Sequence, residues 1–371
     1  MNRLGIFVFY DEEGIADDYI FYLLDSIKSI IDKIVIVVNG IISDTSLKSF
    51  YKYTDEIIIR ENIGFDAGAY KDTLCKHIGW DEVCKFDELL LFNDSFYGPL
   101  YPIEDCFHKM EKVDVDYWGL TRAPEGAQRD GYVYDIHVQS YFLVFRKNVL
   151  CDKRFKKFWE DIPYPESLLQ AIRVFEFECN KLLRECGWKG IAFSDLCELK
   201  FPVESDYNPY MDYSYELVHD AKVPVFKRKS LDLRFTGFSN ALKALKYIEE
   251  QSIYDAELIK KHLRRVGQPL HERAWLDFSI LNEFYHTHDK IYIYGAGICG
   301  KNFAEYFDYK GWPFEGFLVT SMEEQSEECI LFEEADIEDN VGVIIAVGTQ
   351  KAYTEIRSII EKRCNSEQIY P

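Results

Sequence analysis

Residues 88–100, ELLLFNDSFYGPL, form an apolar strand pattern that stops abruptly on Asn93-Asp94-Ser95 and continues into an aromatic residue, a glycine and a proline. Asn, Asp, Ser, Gly and Pro each favour turns through their own backbone chemistry. Taken alone, the stretch is therefore either an ordinary turn or a strand that delivers a carboxylate and two hydrogen-bonding side chains to a site. The neighbouring sequence supplies the context.

On the N-terminal side, strand and helix patterns alternate. LGIFVFY, KIVIVVNG and DEIIIREN read as strands, with DELLLFNDS as the next. Between them, DDYIFYLLDSIKSII sets Tyr19, Leu23, Ile27 and Ile30 on one helical stripe, SDTSLKSFYKYT reads as a capped helix, and AGAYKDTLCKHIGW reads as a helix ending at Gly79. Strands joined by helices of this length imply right-handed crossovers and a mainly parallel sheet. Ligands of such sheets lie at the carboxyl ends of the strands. The polar groups Tyr10-Asp11, Asn39-Gly40, Asn62-Ile63-Gly64 and Asn93-Asp94-Ser95 all follow strands, so they are expected to share one rim.

Downstream, DVDYWGLTRA and HVQSYFLVFRKNVL read as strands without a full crossover helix between them, which predicts a mixed sheet. PESLLQAIRVFEFECNKLLRECG reads as a long helix closed by Gly187. Residues 238–288 are largely helical and charged, and from Lys290 a strand, glycine turn and helix begin a new α/β pattern. The expected architecture is α/β throughout, in three parts: residues 1–237, a helical connector over 238–288, and a small Rossmann-like domain over 289–371.

Composition narrows the functions. A chain of 371 residues with 47% hydrophobic content has the length for two or three domains. A net charge of −21 argues against a general nucleic-acid binder, because phosphate contacts need clustered cations. Ten cysteines without a CxxC pair or zinc spacing point to reduced thiols. The opening MNRLGIFVFYDEEG is too short an apolar run for a secretion signal, and no run reaches the ~20 apolar residues of a membrane span. The expected location is cytoplasmic. The basic run Lys260 to Arg265 reads as an exposed helix face or as a peripheral contact with anionic lipid.

Five constellations carry chemistry, each with an ordinary structural alternative. In IRENIGFDAGAYKDTL, Gly64 permits positive φ and close approach, and Asp66 is either a ligand contact or a helix N-cap. On a continuous strand His137, Gln139 and Tyr141 share a face, which either meets sugar hydroxyls or faces solvent. Glu176 is a buried general base or a surface carboxylate paired with Arg173. Lys227, Arg228 and Lys229 neutralise a diphosphate or keep an edge strand soluble. GAGICG, Gly295 to Gly300, matches a dinucleotide fingerprint in the right context, but Thr320 stands where a ribose-binding carboxylate belongs. That turn therefore holds some phosphate or serves close packing, and NAD is not expected.

VFYDEEG, VVNG, ENIGFDAGAY, LLLFNDSFYGPL, HVQSYFLVF, FEFE before LLRECGW, and VPVFKRK occur in an order that resembles the rhamnan synthesis protein F family over roughly residues 3–235. These are bacterial glycosyltransferase-like proteins of polysaccharide assembly, and the resemblance implies an inverting GT-A-like fold. It implies that Asn93-Asp94-Ser95 takes the place of a DxD motif, with Asp94 as catalytic and metal-binding carboxylate for Mg or Mn. Only Asp94 is anionic there, so metal dependence is doubtful and Lys227 or Arg228 would share the charge. It implies Glu176 as base, and Tyr10, Asn39, Asn62 and Asp66 around base and ribose, with Asp11, Gly64, Asn93 and Ser95 completing the donor site. The implied reaction transfers a sugar, rhamnose foremost, from a dTDP- or UDP-sugar to a glycan or glycolipid acceptor. The alternatives are a nucleotide-sugar-binding assembly protein without turnover, and an NAD-dependent sugar-modifying enzyme working through the C-terminal domain.

Overall fold

Seven consecutive buried residues, Arg3–Phe9, form β1, and the uncharged run from Leu4 to Phe9 is what a strand covered on both faces requires. β1 pairs in parallel with β2 (Lys33–Asn39) on one side and with β4 (Glu88–Asn93) on the other, and β3 (Ile57–Arg60) extends the sheet beyond β2 in parallel. Past β4 the direction reverses. Phe142–Arg146 runs antiparallel to both β4 and Tyr117–Ala123, while Gly190–Asp195 pairs in parallel with Tyr117–Ala123. The result is a mixed α/β fold with a large, mostly parallel sheet flanked by helices.

The computed structural model describes residues 1–123, 128–129, 132–133, 135–195, 212–251, 253–266, 276–321 and 329–370. The chain divides into two compact units. The first is Met1–Pro209 with Asp220–Phe226, and the second is Tyr210–His219 with Lys227–Pro371.

Helix α1 (Asp18–Ile27) buries Tyr19, Ile20, Leu23, Leu24 and Ile27, the stripe its periodicity predicts. α2 (Asp44–Phe50) is capped by Ser43, whose side chain accepts from Ser46 N–H. α3 (Phe65–Asp72) leads into a π-helical turn, Thr73–Ile78, that ends at Gly79. A second π-helical turn, Ile172–Phe177, lies between Leu168–Ala171 and Glu178–Glu185. Such widened turns recur at functional sites. At the amino end of the sheet, away from the strand tips, Arg3 donates to Glu88 at 2.6 Å and to Glu111 at 2.5 Å. Tyr70 of α3 packs edge-on against Trp159, and both rings lie tilted against Phe175 in a core shared with Leu89 and Leu91.

One strand expectation fails. Residues 137–146 are not one strand: His137–Val138 pairs antiparallel with Tyr117–Ala123, a turn intervenes at Ser140 and Tyr141, and pairing resumes at Phe142. The alternation that would put His137, Gln139 and Tyr141 on a shared face therefore does not hold. A second correction concerns Lys227, Arg228 and Lys229. The strand there is only Phe226–Lys227, and Arg228–Leu231 is a 3-10 turn with Arg228 buried.

The second unit has a four-stranded parallel sheet in the order Cys329–Leu331, Gly316–Val319, Lys290–Tyr294, Val341–Ile345. Helix Phe238–Gln251 belongs to it and packs on Ile298–Lys310; Asn302 on that second helix donates to the carbonyls of Leu233 and Phe235. Residues 238–251 and 256–266 are thus built into this unit. At the glycine turn, a Cβ on Gly300 would lie 1.8 Å from the carbonyl oxygen of Gly295, so close helix-strand packing alone requires glycine there. Among the described residues no helix is long and apolar enough to cross a membrane, and the cysteines are free thiols.

Candidate functional site

The strand tips of the first unit are built in layers, starting with the loops. After β1, Asp11 Oδ1 accepts from the backbone N–H of Glu13 and of Ile15, both at 3.0 Å, so this carboxylate shapes its own loop. Tyr10 before it is 37% exposed, with its ring edge beside Gly40. After β2, buried Asn39 is held from both sides. Its amide donates to the Phe65 carbonyl at 3.0 Å, and its oxygen accepts from Arg60 Nη1 at 2.6 Å. Arg60 in turn donates to Asp72 and to the Ile63 carbonyl. Asn39, Arg60 and Asp72 therefore fix the 60–65 loop, while Asn62 at its crest is exposed.

That loop enters α3 through two left-handed residues, Gly64 at φ +78° and Phe65 at φ +54°. A Cβ on Gly68 would sit 2.3 Å from the Ile63 carbonyl oxygen, so what lies against this small-residue face is the chain itself. The geometry sets Asp66 in the first turn of α3, with Oδ1 accepting from Ala67 N–H at 2.9 Å and Oδ2 accepting from the Asn93 amide at 3.1 Å. Burial pushes the Asp66 carboxyl up by more than those two hydrogen bonds pull it down, and the charge of Glu176 adds to the rise.

At the tip of β4, Asn93 is the joint. Its oxygen accepts from the Ser95 N–H at 3.2 Å and the Ser95 hydroxyl at 2.7 Å while its amide holds Asp66. Asp94 between them is half-buried, and its backbone carbonyl accepts from the Tyr19 hydroxyl at 3.3 Å. Burial pushes the Tyr70 phenol well up, and the charges of Asp66 and Asp94 push in the same direction, so both carboxylates border Tyr70.

The second carboxylate cluster comes from the π-helical turn. Glu176 Oε2 accepts from both the N–H and the hydroxyl of Ser140, at 2.6 and 2.5 Å, and Oε1 lies 3.2 Å from His137 Nε2. His137 Nδ1 is 2.8 Å from the Asp135 carbonyl, which only accepts, so Nδ1 carries the hydrogen of that bond and Nε2 is turned to Glu176. Burial would push its pKa down, but the hydrogen bond and charge of Glu176 reverse that and leave it raised. For Glu176 burial pushes up, and His137 and Ser140 together bring the pKa below the ordinary value. Asn180, one turn on, clamps Val138 through both its N–H and its carbonyl at 2.9 Å. Gln139 and Tyr141 meet elsewhere, on the Thr121 hydroxyl at 2.9 and 2.8 Å.

The structure thus brings together Asp66, Asn93, Ser95, Asp94, Glu176 and His137. Lys227 and Arg228 belong to the other unit. Ser140, Asn180, Thr121 and Arg60 are the contributors that sequence reading misses.

The family model for rhamnan synthesis protein F matches residues 34–310, about three quarters of the chain. It belongs to the rhamnan synthesis protein F family. The chain is also similar to an uncharacterized protein, y4gN, of Sinorhizobium fredii, at 26% identity over 186 residues, spanning 50% of this chain and 46% of that relative's length. Among solved structures it is similar to a putative nucleotide-diphospho-sugar transferase from Desulfovibrio desulfuricans (13% identity, TM-score 0.30, 52% of this chain and 80% of the other). A cytidylyltransferase from Leptospira borgpetersenii gives 10% identity and a TM-score of 0.32 over 68% of this chain and 97% of the other.

For this member of the rhamnan synthesis protein F family the metal question can be put to the side chains. Asp94 is the one carboxylate of the β4 tip, Asn93 already accepts from Ser95, and no group of three metal-ligating side chains occurs among the described residues. Hard divalent cations take six or more oxygens. An ion at this tip would have one carboxylate from the chain, Asp94, and would take most of its oxygens from a diphosphate.

Proposed function

We propose that the first unit is a glycosyltransferase that moves a sugar from a nucleoside-diphosphate donor, a dTDP- or UDP-sugar with rhamnose foremost, to a growing cell-surface glycan or glycolipid. The transfer inverts the anomeric carbon and takes place on the cytoplasmic side. Family membership supports the class. The observation that carries the reading is the meeting, at the carboxyl ends of parallel strands, of two carboxylates of opposite character: Asp66, raised and held by Asn93, and Glu176, lowered and held by His137. Groups whose surroundings drive their pKa values apart mark acid-base sites.

The half-exposed ring of Tyr10 and the exposed crest at Asn62 are the surfaces offered to the nucleotide, while Asn39 acts by placing the backbone of Phe65. The acceptor hydroxyl attacks the anomeric carbon as the bond to the diphosphate breaks, and a carboxylate of the pair receives the proton. A thermal-shift and hydrolysis screen of nucleotide sugars, with and without Mn²⁺, tests this. Stabilisation and turnover by one dTDP- or UDP-sugar is the expected result. A full panel that neither binds nor reacts removes the proposal.

A further inference from the structure

The two carboxylates of the site are not equivalent, and their hydrogen bonds divide the labour between them. Glu176 is saturated: one oxygen takes two donors from Ser140, and the other faces His137 Nε2. Asp66 is held more lightly, by one backbone N–H and one neutral amide, and among the described residues no cation pairs with it. Exposure does not separate the two, since both are half-buried; the number and kind of their donors do. Asp66 sits in the first turn of α3, bonded to the tip of β4, where the polar groups of three strands converge. A proton acceptor needs a lone pair, a fixed orientation and no permanent counter-ion, and Asp66 meets these conditions better than Glu176.

We propose that Asp66 takes the proton of the attacking hydroxyl, and that Glu176, clamped by Ser140 and His137, acts through Asp66 as its fixed negative neighbour. This rests on the transfer reading above. In the step, an oxygen lone pair of the acceptor forms the new bond to the anomeric carbon, and the bond from that carbon to the diphosphate oxygen breaks. That electron pair leaves with the nucleoside diphosphate, the hydroxyl proton passes to an Asp66 oxygen, and the neutral acid later loses it to water. Glu176 is thus a positioning residue: its charge disfavours a second anion at Asp66, in agreement with the direction of the Asp66 shift. The other charged or titratable groups around Asp66 are Asp94 from the β4 tip, Tyr70 on its own helix, and His137 behind Glu176. Arg60 is engaged with Asp72 and Asn39.

The test compares wild type, Asp66→Asn and Glu176→Gln in the full chain, with hydrolysis of the UDP- and dTDP-hexose panel followed from pH 4 to 9 and UDP or dTDP binding followed by thermal shift. Asp66→Asn is expected to keep nucleotide binding within about twofold and to lose ~100-fold or more in kcat, the usual size of a general-base contribution. Glu176→Gln is expected to stay active, reduced about tenfold, with the acid limb of its kcat profile moved to lower pH because the repelling charge is gone. The reverse pattern, a dead Glu176→Gln beside an active Asp66→Asn with the wild-type acid limb, overturns the assignment and leaves the transfer reading standing. If Asp66→Asn does not fold, the acid limb of Glu176→Gln decides alone: an unmoved limb overturns the proposal. Absence of binding and hydrolysis in wild type removes both.

Discussion

The amide of Asn93 donates to Asp66 Oδ2 at 3.1 Å, so the last residue of a central strand is tied to the first turn of the helix that follows β3. The same side chain accepts twice from Ser95. Asn93→Ala removes all three bonds and leaves a half-buried carboxylate with one donor fewer. We expect a loss of about 1–3 kcal/mol in urea unfolding together with weaker stabilisation by the donor. Unchanged values for both would show that this link is dispensable.

Arg60 and Asp72 form an ion pair with side chains only 12% and 13% exposed, and the same guanidinium donates to Asn39 and Ile63. Arg60→Ala takes two donors from Asp72, which keeps Lys76 and Tyr164, and leaves Asn39 Oδ1 and the Ile63 carbonyl without this partner. The expected cost is roughly 1–3 kcal/mol, the penalty of leaving the Asn39 oxygen and the carbonyl without their donor while Lys76 still balances Asp72. Arg60→Lys, lacking the fork, should recover only part of it. Chemical denaturation of the two variants measures the difference.

The π-turn pair fixes a pH window for stability. His137 is raised above 6.5 in the folded chain, so its contribution is complete below pH 6.5 and disappears as pH climbs through the folded value. Glu176 is lowered from 4.5, so its share is complete above pH 4.5 and disappears as pH falls through the folded value. Both are in force between 4.5 and 6.5. His137→Gln should flatten the alkaline decline of the melting temperature, and an identical decline in the variant would contradict the ion pair.

Asp66 has the opposite sign from an ordinary carboxylate. Its folded pKa lies above 3.8, so it supports the fold below pH 3.8 and increasingly disfavours it as pH rises through the folded value. The stability of Asp66→Asn relative to wild type is therefore expected to improve on going from pH 3.5 to 7. Unfolding curves at the two pH values read this directly, and a constant difference would mean that Asp66 titrates normally. Stability given up at a site in this way is the usual mark of function.

Gly68→Ala places a methyl group 2.3 Å from the Ile63 carbonyl oxygen and 3.1 Å from the Tyr164 ring. Backbone has to move, and overpacking of this kind costs about 1–3 kcal/mol. Donor binding should weaken with it, because Asn62 and Asp66 flank the displaced loop. A variant as stable as wild type would show that the loop yields freely.

Much of this was legible from the chain. The apolar runs ending at Phe9, Asn39 and Asn93 gave parallel strands with a shared polar rim, because period and turn residues are local signals. Asn39 was legible as a rim residue, but its work as a brace was not, since its partners Arg60 and Phe65 reach it only after β3 and α3 fold alongside. Ser140 was hidden for a different reason. Strand alternation sets it opposite His137, yet a turn at 140–141 swings its N–H and hydroxyl onto the carboxylate that His137 also meets.

The widened turn at Ile172–Phe177 holds one more residue than an α-helix would use for the same advance. Deleting a single residue upstream of Glu176 within it would let the helix close to the common pitch and rotate one flank against the other by about 100°. Glu176 and Asn180, which now address adjacent stretches of one neighbouring segment, lie beyond that point and would turn away from it together. The extra residue therefore works as a spacer in the chain's own numbering: insertions and deletions in nearby loops are absorbed, whereas a frame shift of one here would disarm the site while leaving every functional side chain present.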